Sequence, residues 1–179
     1  MHLHIFNTRS SNFSRSLNKV FRYANPDYHS LGKSYARGAM AACLLCDTET
    51  KPGLKASVDL ERTVPRSFAS VRYFIDNFAT FGVKTIPQQP DSAWFYTVWT
   101  AMESYFKLDG NGFLTTKDFV IDTEMRRILK NDSAVAFFEH FRFGKYIVCL
   151  CASQHFTKSD VILHFHNHND TQFLGVEAK

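Results

Sequence analysis

Three histidines alternate along a predicted strand in the last part of the sequence. The stretch "VILHFHNHND" places His164, His166 and His168 on one face of that strand, with Leu163 and Phe165 on the other. Neighbouring imidazoles on one strand face can bind Zn²⁺, Fe²⁺ or Cu²⁺. The pattern predicts a transition-metal site, and the alternative is a solvated or partly buried polar face of a sheet.

A cysteine could complete this site. Cys149 and Cys151 lie on one face of the preceding predicted strand. If the connecting hairpin closes so that Ser153 opposes Asp160, then Cys149 lies across from His164 and becomes a fourth candidate ligand. A slip of one residue in this register would instead turn both cysteines into the core. Burial of two ordinary thiols is therefore the alternative.

The stretch "FKLDGNGFLTTKDF", residues 106–119, resembles a calcium-binding loop in its rhythm of glycine and oxygen-bearing side chains. Alignment of Gly112 with the invariant sixth position puts Lys107 at position 1 and Asp118 at position 12. Lysine supplies no oxygen ligand, and Asp118 is one methylene shorter than the usual bidentate glutamate. We predict that the stretch does not bind calcium and forms a glycine-rich turn at the end of a helix.

Other chemical motifs are weak or missing. Cys43 and Cys46 form a C-x-x-C in "AACLLCDT", but the Ala, Met and Leu around them follow a helical pattern, which favours packing over zinc or redox chemistry. The sequence contains no nucleophile elbow, phosphate-binding loop or GxGxxG fingerprint. These features leave the question of an enzyme open and favour a protein that does not catalyse a reaction.

Positive charge is concentrated at the start of the chain. Residues 1–37 contain six Lys or Arg and one acid, a net charge of +5, whereas the whole chain carries +4. Three of these cations share one side of a predicted amphipathic helix, and Ser and Asn side chains lie beside them. That mixture suits contact with phosphate groups or with an acidic protein surface, and the alternative is the solvated face of an amphipathic helix. The predicted contact residues are Arg9, Arg15, Lys19, Arg22, Lys33 and Arg37.

The elements that would position these residues follow from periodicity and turn signals. Short-period patterns predict strands over residues 2–7 and 54–61. Helical patterns cover residues 11–24, 29–47, 67–80, 92–106 and 122–130. From residue 135 onward, four apolar runs separated by turns predict a meander. The expected fold is α+β, with N-terminal amphipathic helices packed on a C-terminal four-stranded antiparallel sheet.

Domain organisation follows from length and composition. With 179 residues, 45% of them hydrophobic and 21% charged, the chain can bury its own core and is not disordered. We predict one domain over residues 1–179, with a basic helical N-terminal segment (1–48) and a C-terminal antiparallel meander (134–178).

The sequence also predicts a location. No apolar run approaches the roughly 20 residues of a membrane-spanning helix, and "MHLHIFNTRSS" lacks the features of a signal peptide. We therefore predict a cytoplasmic protein with no membrane partner, whose cysteines are thiols.

These observations combine into one functional hypothesis with two alternatives. The hypothesis is a non-catalytic intracellular protein that binds an anionic macromolecule, either nucleic acid or an acidic protein surface, through its basic N-terminal helix and needs no cofactor. The first alternative is a metal-dependent enzyme or metal-binding domain that uses the histidine strand with Zn²⁺ or another transition metal. The second is a structural or assembly subunit whose many Phe and Tyr residues supply an interface.

Overall fold

A computed structural model of the chain describes residues 1–7, 28–36, 40–47, 53–78, 82–110 and 118–166. The strands among these residues are β1 (His2–Asn7), β2 (Tyr28–Ala36), β3 (Met40–Asp47), β4 (Ala56–Arg62), β5 (Val120–Asp122), β6 (Arg127–Lys130), β7 (Ser133–Phe143), β8 (Tyr146–Ala152) and β9 (Ile162–His166). The α-helices are α1 (Phe68–Phe78) and α2 (Ser92–Asp109), and a short 3₁₀ helix covers Lys158–Asp160.

Five strands form an antiparallel sheet in the order β4-β8-β7-β6-β5. With the two helices, this sheet confirms the predicted α+β class. The predicted four-stranded meander differs in detail, because its first two strands, β7 and β8, belong to this sheet, whereas its third, β9, does not. β4 adds to it beside β8, and the short hairpin β5-β6 extends it on the other side.

The other four strands form a second sheet in the order β2-β3-β1-β9. β1 pairs antiparallel with β3 and parallel with β9, so the first and last described strands are neighbours. Leu3 and Ile5 of β1 are buried against Val148 and Leu150 of β8. The second sheet therefore packs on one face of the five-stranded sheet.

The helices cover the opposite face of the five-stranded sheet. Ile147, Cys149 and Cys151 of β8 pack in a core with α2 side chains such as Met102. Because the alternate residues Val148 and Leu150 pack toward the second sheet, β8 is buried on both faces. The described residues thus form three layers, with α2 lying across β4 and β8.

Helix α2 begins and ends with defined caps. The carboxylate of Asp91 accepts a hydrogen bond of 2.8 Å from the backbone N–H of Trp94. Gly110 ends the helix in the left-handed conformation, with φ 75°, and its N–H donates to the carbonyl of Phe106. The predicted glycine turn after this helix begins as expected, although residues 111–117 of the calcium-like stretch lie outside the described part. Neither α1 nor α2 is long and apolar enough to cross a bilayer.

Two predicted helices are wrong. Residues 29–47, including the C-x-x-C, form β2 and β3 instead. The Ala, Leu, Met and Cys residues there favour a helix locally, but backbone pairing with β1 overrides a weak propensity. Residues 122–130 form a turn followed by β6, because the Asp122 carboxylate caps the backbone N–H of Met125 at 3.1 Å and ends β5.

Two further predicted elements lie outside the described residues. These are the amphipathic helix over residues 11–24 and the last strand of the predicted meander, "TQFLGVE".

Gly82 lies so close to the start of β5 that a side chain at this position would be crowded. Its φ is +64°, and a Cβ atom there would lie 3.1 Å from Val120 Cγ2 and 3.2 Å from the Phe119 carbonyl oxygen. We expect Gly82→Ala to lower the free energy of unfolding by about 2–3 kcal/mol, measured by urea denaturation, through backbone strain and crowding. Gly110→Ala is the matched control, since Gly110 has φ +75° with no atom near its Cβ position. Equal losses in the two variants would contradict a contribution from crowding.

Candidate active site

Strand β4 presents a row of polar side chains to helix α2. Ser57, Asp59 and Glu61 alternate with Val58 and Leu60, which pack into the core on the opposite face. Asp59 is 4% exposed and Glu61 is half-buried. A row of acids on a covered strand face requires partners or a bound cation, because burying an unpaired charge is costly.

Helix α2 supplies the facing side chains. Trp99, Glu103 and Lys107 follow one another at spacings of four residues and therefore share one face of the helix. The packing of α2 on β4 brings Glu103 and Lys107 over Asp59. The resulting cluster contains three carboxylates and one ammonium group.

Lys107 and Ser34 hold one oxygen of Asp59. Lys107 Nζ lies 2.6 Å from Asp59 Oδ1, and the Ser34 hydroxyl donates to the same oxygen at 2.9 Å. Lys107 also donates to the Ser34 hydroxyl oxygen at 3.1 Å, which closes a three-membered network. Asp59 Oδ2 is buried and has no hydrogen-bond partner among the described residues. One carboxylate oxygen is thus paired, and burial of the other without a partner is a cost that a bound cation would offset.

The charged forms of the other two carboxyl groups, those of Glu61 and Glu103, are electrostatically unfavourable. Burial, followed by the negative charge of Asp59, raises the pKa of Glu61 above its ordinary value. The same two causes raise the pKa of Glu103, although the Lys107 cation partly offsets them. Both groups therefore bind a proton more readily than an exposed glutamate, and a metal cation would relieve the same repulsion.

A pocket of about 600 Å³ opens beside Glu61. Its lining includes Trp99, whose side chain hydrogen-bonds to Glu61, and Phe95. The Arg66 guanidinium lies 4.3 Å from the Phe95 ring centroid and adds a cation to the pocket. The pocket therefore combines aromatic walls with one positive and one acidic group.

Side-chain hydrogen bonds fix the position of α2 on the sheet. Thr100 Oγ1 lies 3.0 Å from His140 Nε2 of β7, and it donates its own hydrogen to the carbonyl of Tyr96. His140 must then donate from Nε2 to Thr100. The Ser57 hydroxyl of β4 donates to the carbonyl of Ser104. These bonds hold the helix at the depth that places its acidic face over Asp59.

Protonation of His140 should make the free energy of unfolding depend on pH. Burial, followed by the positive charge of Arg142, lowers the pKa of His140 to about 4, with smaller effects of the same sign from Lys158 and Arg126. The unfolded chain binds this proton near pH 6.5, so protons favour unfolding between the two values. The stability that depends on the neutral form of His140 is fully present above about pH 6.5. It is lost as the pH falls toward 4, which lowers the free energy of unfolding by up to roughly 3 kcal/mol.

The measurement compares the chain with a variant that does not titrate there. We expect His140→Gln to lose less unfolding free energy than the wild type between pH 7 and pH 5, by urea denaturation. His155→Gln is the control, because His155 is exposed. An unchanged pH dependence in His140→Gln would contradict a buried neutral imidazole.

The structure separates the residues of the predicted metal site. Cys149 lies in β8, opposite Asp59 and His140 in the neighbouring strands, whereas His164 lies in β9 of the other sheet. The hairpin register that would join them is therefore wrong. Cys149 is fully buried, and burial raises the pKa of its thiol, which disfavours the thiolate form that binds metals.

The remaining predicted site residues are only partly described. The backbone of His166 lies in β9, and His168 is outside the described part. Among the predicted cationic contacts, Lys33 lies in β2, where its backbone pairs with Cys43. Positions outside the described residues are those of Arg9, Arg15, Lys19, Arg22 and Arg37.

Sequence reasoning missed the carboxylate cluster. The alternation over residues 54–61 correctly predicted a strand, but it does not show what covers the polar face of that strand. The available signal was the pair of acids at Asp59 and Glu61 together with Glu103 and Lys107 four residues apart on a helix. From the sequence, Lys107 was assigned only to position 1 of the calcium-like stretch, where it supplies no oxygen ligand.

Comparison with known families gives this cluster a context. The family model ACPS, 4'-phosphopantetheinyl transferase superfamily, matches residues 57–159. This span is 103 of the 179 residues, more than half of the chain, and it begins at the acidic strand and includes all of α2. No curated protein matches the sequence. The chain belongs to the 4'-phosphopantetheinyl transferase superfamily.

This membership corrects the functional hypothesis. The superfamily is one of transferases, so the predicted non-catalytic binding protein is wrong. The predicted anionic partner, nucleic acid or an acidic protein surface, is wrong for the same reason. A phosphopantetheinyl transferase requires instead a donor and an acceptor of that group.

Proposed function

We propose that this protein transfers the 4'-phosphopantetheinyl group of coenzyme A to a hydroxyl group of an acyl or peptidyl carrier protein, with Mg²⁺ as cofactor. The observation that carries the proposal is the location of Asp59, Glu61, Glu103 and Lys107 inside the span that matches the transferase family. Carboxylates, a lysine and an adjacent pocket are the groups that such a phosphoryl transfer needs.

The proposed reaction exchanges one P–O bond for another. The hydroxyl oxygen of the carrier protein attacks the phosphorus that bears the pantetheine. The bond between that phosphorus and the bridging oxygen of the pyrophosphate breaks, and adenosine 3',5'-bisphosphate leaves. The proton of the attacking hydroxyl goes to a base, and we assign this role to Glu103, whose carboxylate lies on α2 near Asp59 and Lys107.

The residues present fit Mg²⁺. Asp59 Oδ2 is a buried carboxylate oxygen without a hydrogen-bond partner among the described residues, and Glu61 and Glu103 offer further oxygen ligands. Their ligand atoms do not all lie within 4.8 Å of one another. Mg²⁺ would therefore be held directly by one or two of these carboxylates, and water and phosphate oxygens would complete its shell. Bound there, the ion would neutralise the pyrophosphate and polarise its phosphorus.

Lys107 and the pocket contribute binding and orientation. Lys107 is held by Asp59 and Ser34, and its partly exposed ammonium group can contact a phosphate oxygen. We assign the pocket beside Glu61 to part of the coenzyme A molecule. Arg66 would contact a phosphate there, and the rings of Phe95 and Trp99 would pack against the uncharged portion.

Two predictions from the sequence stay within this proposal. The first is that residues 1–179 form one domain. The second is a cytoplasmic location, which is supported by the free thiols of Cys149 and Cys151.

The test is direct modification of a carrier protein. The purified chain is incubated with coenzyme A, Mg²⁺ and a panel of unmodified acyl and peptidyl carrier proteins, and intact mass spectrometry follows the products. We expect at least one carrier to gain the mass of one phosphopantetheinyl group, and a chelator of Mg²⁺ to prevent it. Asp76→Asn, in the exposed Arg72–Asp76 pair on α1, is the control and should remain active. Unmodified carriers at equimolar enzyme would contradict the proposal.

A further inference from the structure

A second cluster of chemically active side chains lies on the four-stranded sheet. The parallel register of β1 and β9 pairs His4 directly with His164, and His2 lies two residues before His4 on the same face of β1. His2 Nδ1 and His164 Nε2 are 3.0 Å apart, and the rings of His4 and His164 stack with centroids 4.3 Å apart. One nitrogen from each ring lies within 4.8 Å of the other two.

We propose that His2, His4 and His164 form a binding site for a divalent transition-metal ion, with Zn²⁺ as the representative. Two imidazole nitrogens that each lie about 2.0–2.1 Å from one tetrahedral Zn²⁺ are roughly 3.3 Å from each other. The 3.0 Å between His2 Nδ1 and His164 Nε2 is close to this separation. The rings of His4 and His164 are nearly parallel, with an interplanar angle of 7°, so binding requires at least one of them to rotate until the three nitrogens point to a common centre.

The chemistry of the donors distinguishes this site from the carboxylate cluster. Three imidazoles suit Zn²⁺, Cu²⁺ or Ni²⁺, whereas Mg²⁺ prefers oxygen ligands. Three histidines also leave a fourth position for water or another ligand. His4 is 6% exposed, whereas His2 and His164 are half-buried, so the site has a buried side and an accessible side. Solvent can deliver an ion from the accessible side.

The site shares one residue with the arrangement predicted from the sequence. His164 is common to both, and the partners that the structure describes for it, His2 and His4, come from β1 and not from Cys149 of β8. Among the described residues, this is the one group of three or more His, Cys, Asp or Glu side chains that approach closely enough to share an ion.

A bound ion would also stabilise the sheet. His2 and His164 are 162 positions apart in sequence, so an ion between them would link two strands that are adjacent in the sheet but distant along the chain. A ligand that binds only the folded state raises its stability by mass action. We expect a saturating excess of Zn²⁺ to raise the midpoint of thermal unfolding by about 5 °C or more.

The experiment uses the full chain without a histidine tag, after removal of metal. Zn²⁺ is titrated against a chromogenic indicator, and the absorption spectrum of Co²⁺ reports nitrogen ligation. We expect one equivalent to bind. His2→Ala and His164→Ala should each weaken binding by more than about tenfold and abolish the thermal shift. These partly exposed positions are chosen because His4→Ala, at a buried position, could unfold the protein.

Two control variants make the result specific. His155→Ala removes an exposed histidine outside the cluster and should bind Zn²⁺ like the wild type. Asp59→Asn should also retain Zn²⁺, which separates this site from the one assigned to Mg²⁺. Sub-stoichiometric binding by the wild type, or undiminished binding by both His2→Ala and His164→Ala, would overturn the proposal. Neither measurement uses coenzyme A, so the transferase proposal stands or fails separately.

Discussion

The substitution Asp59→Asn is expected to lower the kcat/KM of phosphopantetheinyl transfer by more than about a hundredfold. Asp59 contributes the buried oxygen that has no hydrogen-bond partner among the described residues, and its other oxygen holds Lys107 at 2.6 Å. The amide removes the negative charge that would bind the metal and orient the lysine. The measurement is the initial rate of carrier modification at several concentrations of coenzyme A and Mg²⁺.

A matched variant separates the effect of the Asp59 charge from the effect of one of its hydrogen bonds. Ser34→Ala deletes the hydrogen bond to Asp59 Oδ1 but keeps the carboxylate and the contact with Lys107. We expect it to cost less than about tenfold in activity, the loss of one hydrogen bond to a charged group. Unfolding by urea shows that each variant is folded at the assay temperature. An Asp59→Asn enzyme within tenfold of the wild type would exclude Asp59 from the metal site.

The strand that carries Asp59 illustrates what local sequence patterns can predict. Alternation of apolar and polar residues correctly indicated β4, because side chains on a strand point to opposite faces in turn. The same alternation does not show what covers the polar face. That face lies under α2, whose Glu103 and Lys107 are more than 40 positions away from it. Only the tertiary arrangement identifies the four side chains as one site.

The two sheets show a second limit, which concerns strand pairing. The predicted strand over residues 2–7 is correct, and the histidine-rich strand is correct over the residues that the structure describes. Their parallel pairing joins His4 with His164 and has no local signal, since it depends on bringing together segments about 160 residues apart. Sequence neighbours were expected to pair, because consecutive strands usually do. This assumption put His164 beside Cys149 and not beside His4.

The carboxylate cluster also has a cost in stability. Burial, followed by the negative charge of Asp59, raises the pKa of both Glu61 and Glu103, although Lys107 offsets part of the effect at Glu103. A protein optimised only for folding would not bury such a set of like charges. Active sites commonly retain unfavourable electrostatics that a substrate or a metal relieves. Removing the charge of one of the two glutamates should therefore affect activity and stability in opposite directions.

Glu103→Gln tests this opposition. We expect it to lower transfer activity by more than about a hundredfold, because it removes both a metal ligand and the proposed base. At neutral pH, in the absence of Mg²⁺, we expect its free energy of unfolding to rise by about 0.5–1 kcal/mol, since the amide carries no charge. The raised pKa means that the folded wild type takes up a proton more readily than the unfolded chain. The free energy of unfolding of the wild type should therefore rise relative to that of the variant as the pH falls toward 5.

The control for this prediction is Glu124→Gln, at an exposed position in the turn between β5 and β6. It removes the same charge without affecting the cluster, so activity and stability should both stay close to wild-type values. Mg²⁺ supplies a further distinction, because it should stabilise the wild type and Glu124→Gln but have little effect on Glu103→Gln. If Glu103→Gln lost stability together with activity, Glu103 would be a structural residue that holds α2 on the sheet. The assignment of a metal ligand and base would then have to move to Glu61, the other glutamate with a raised pKa.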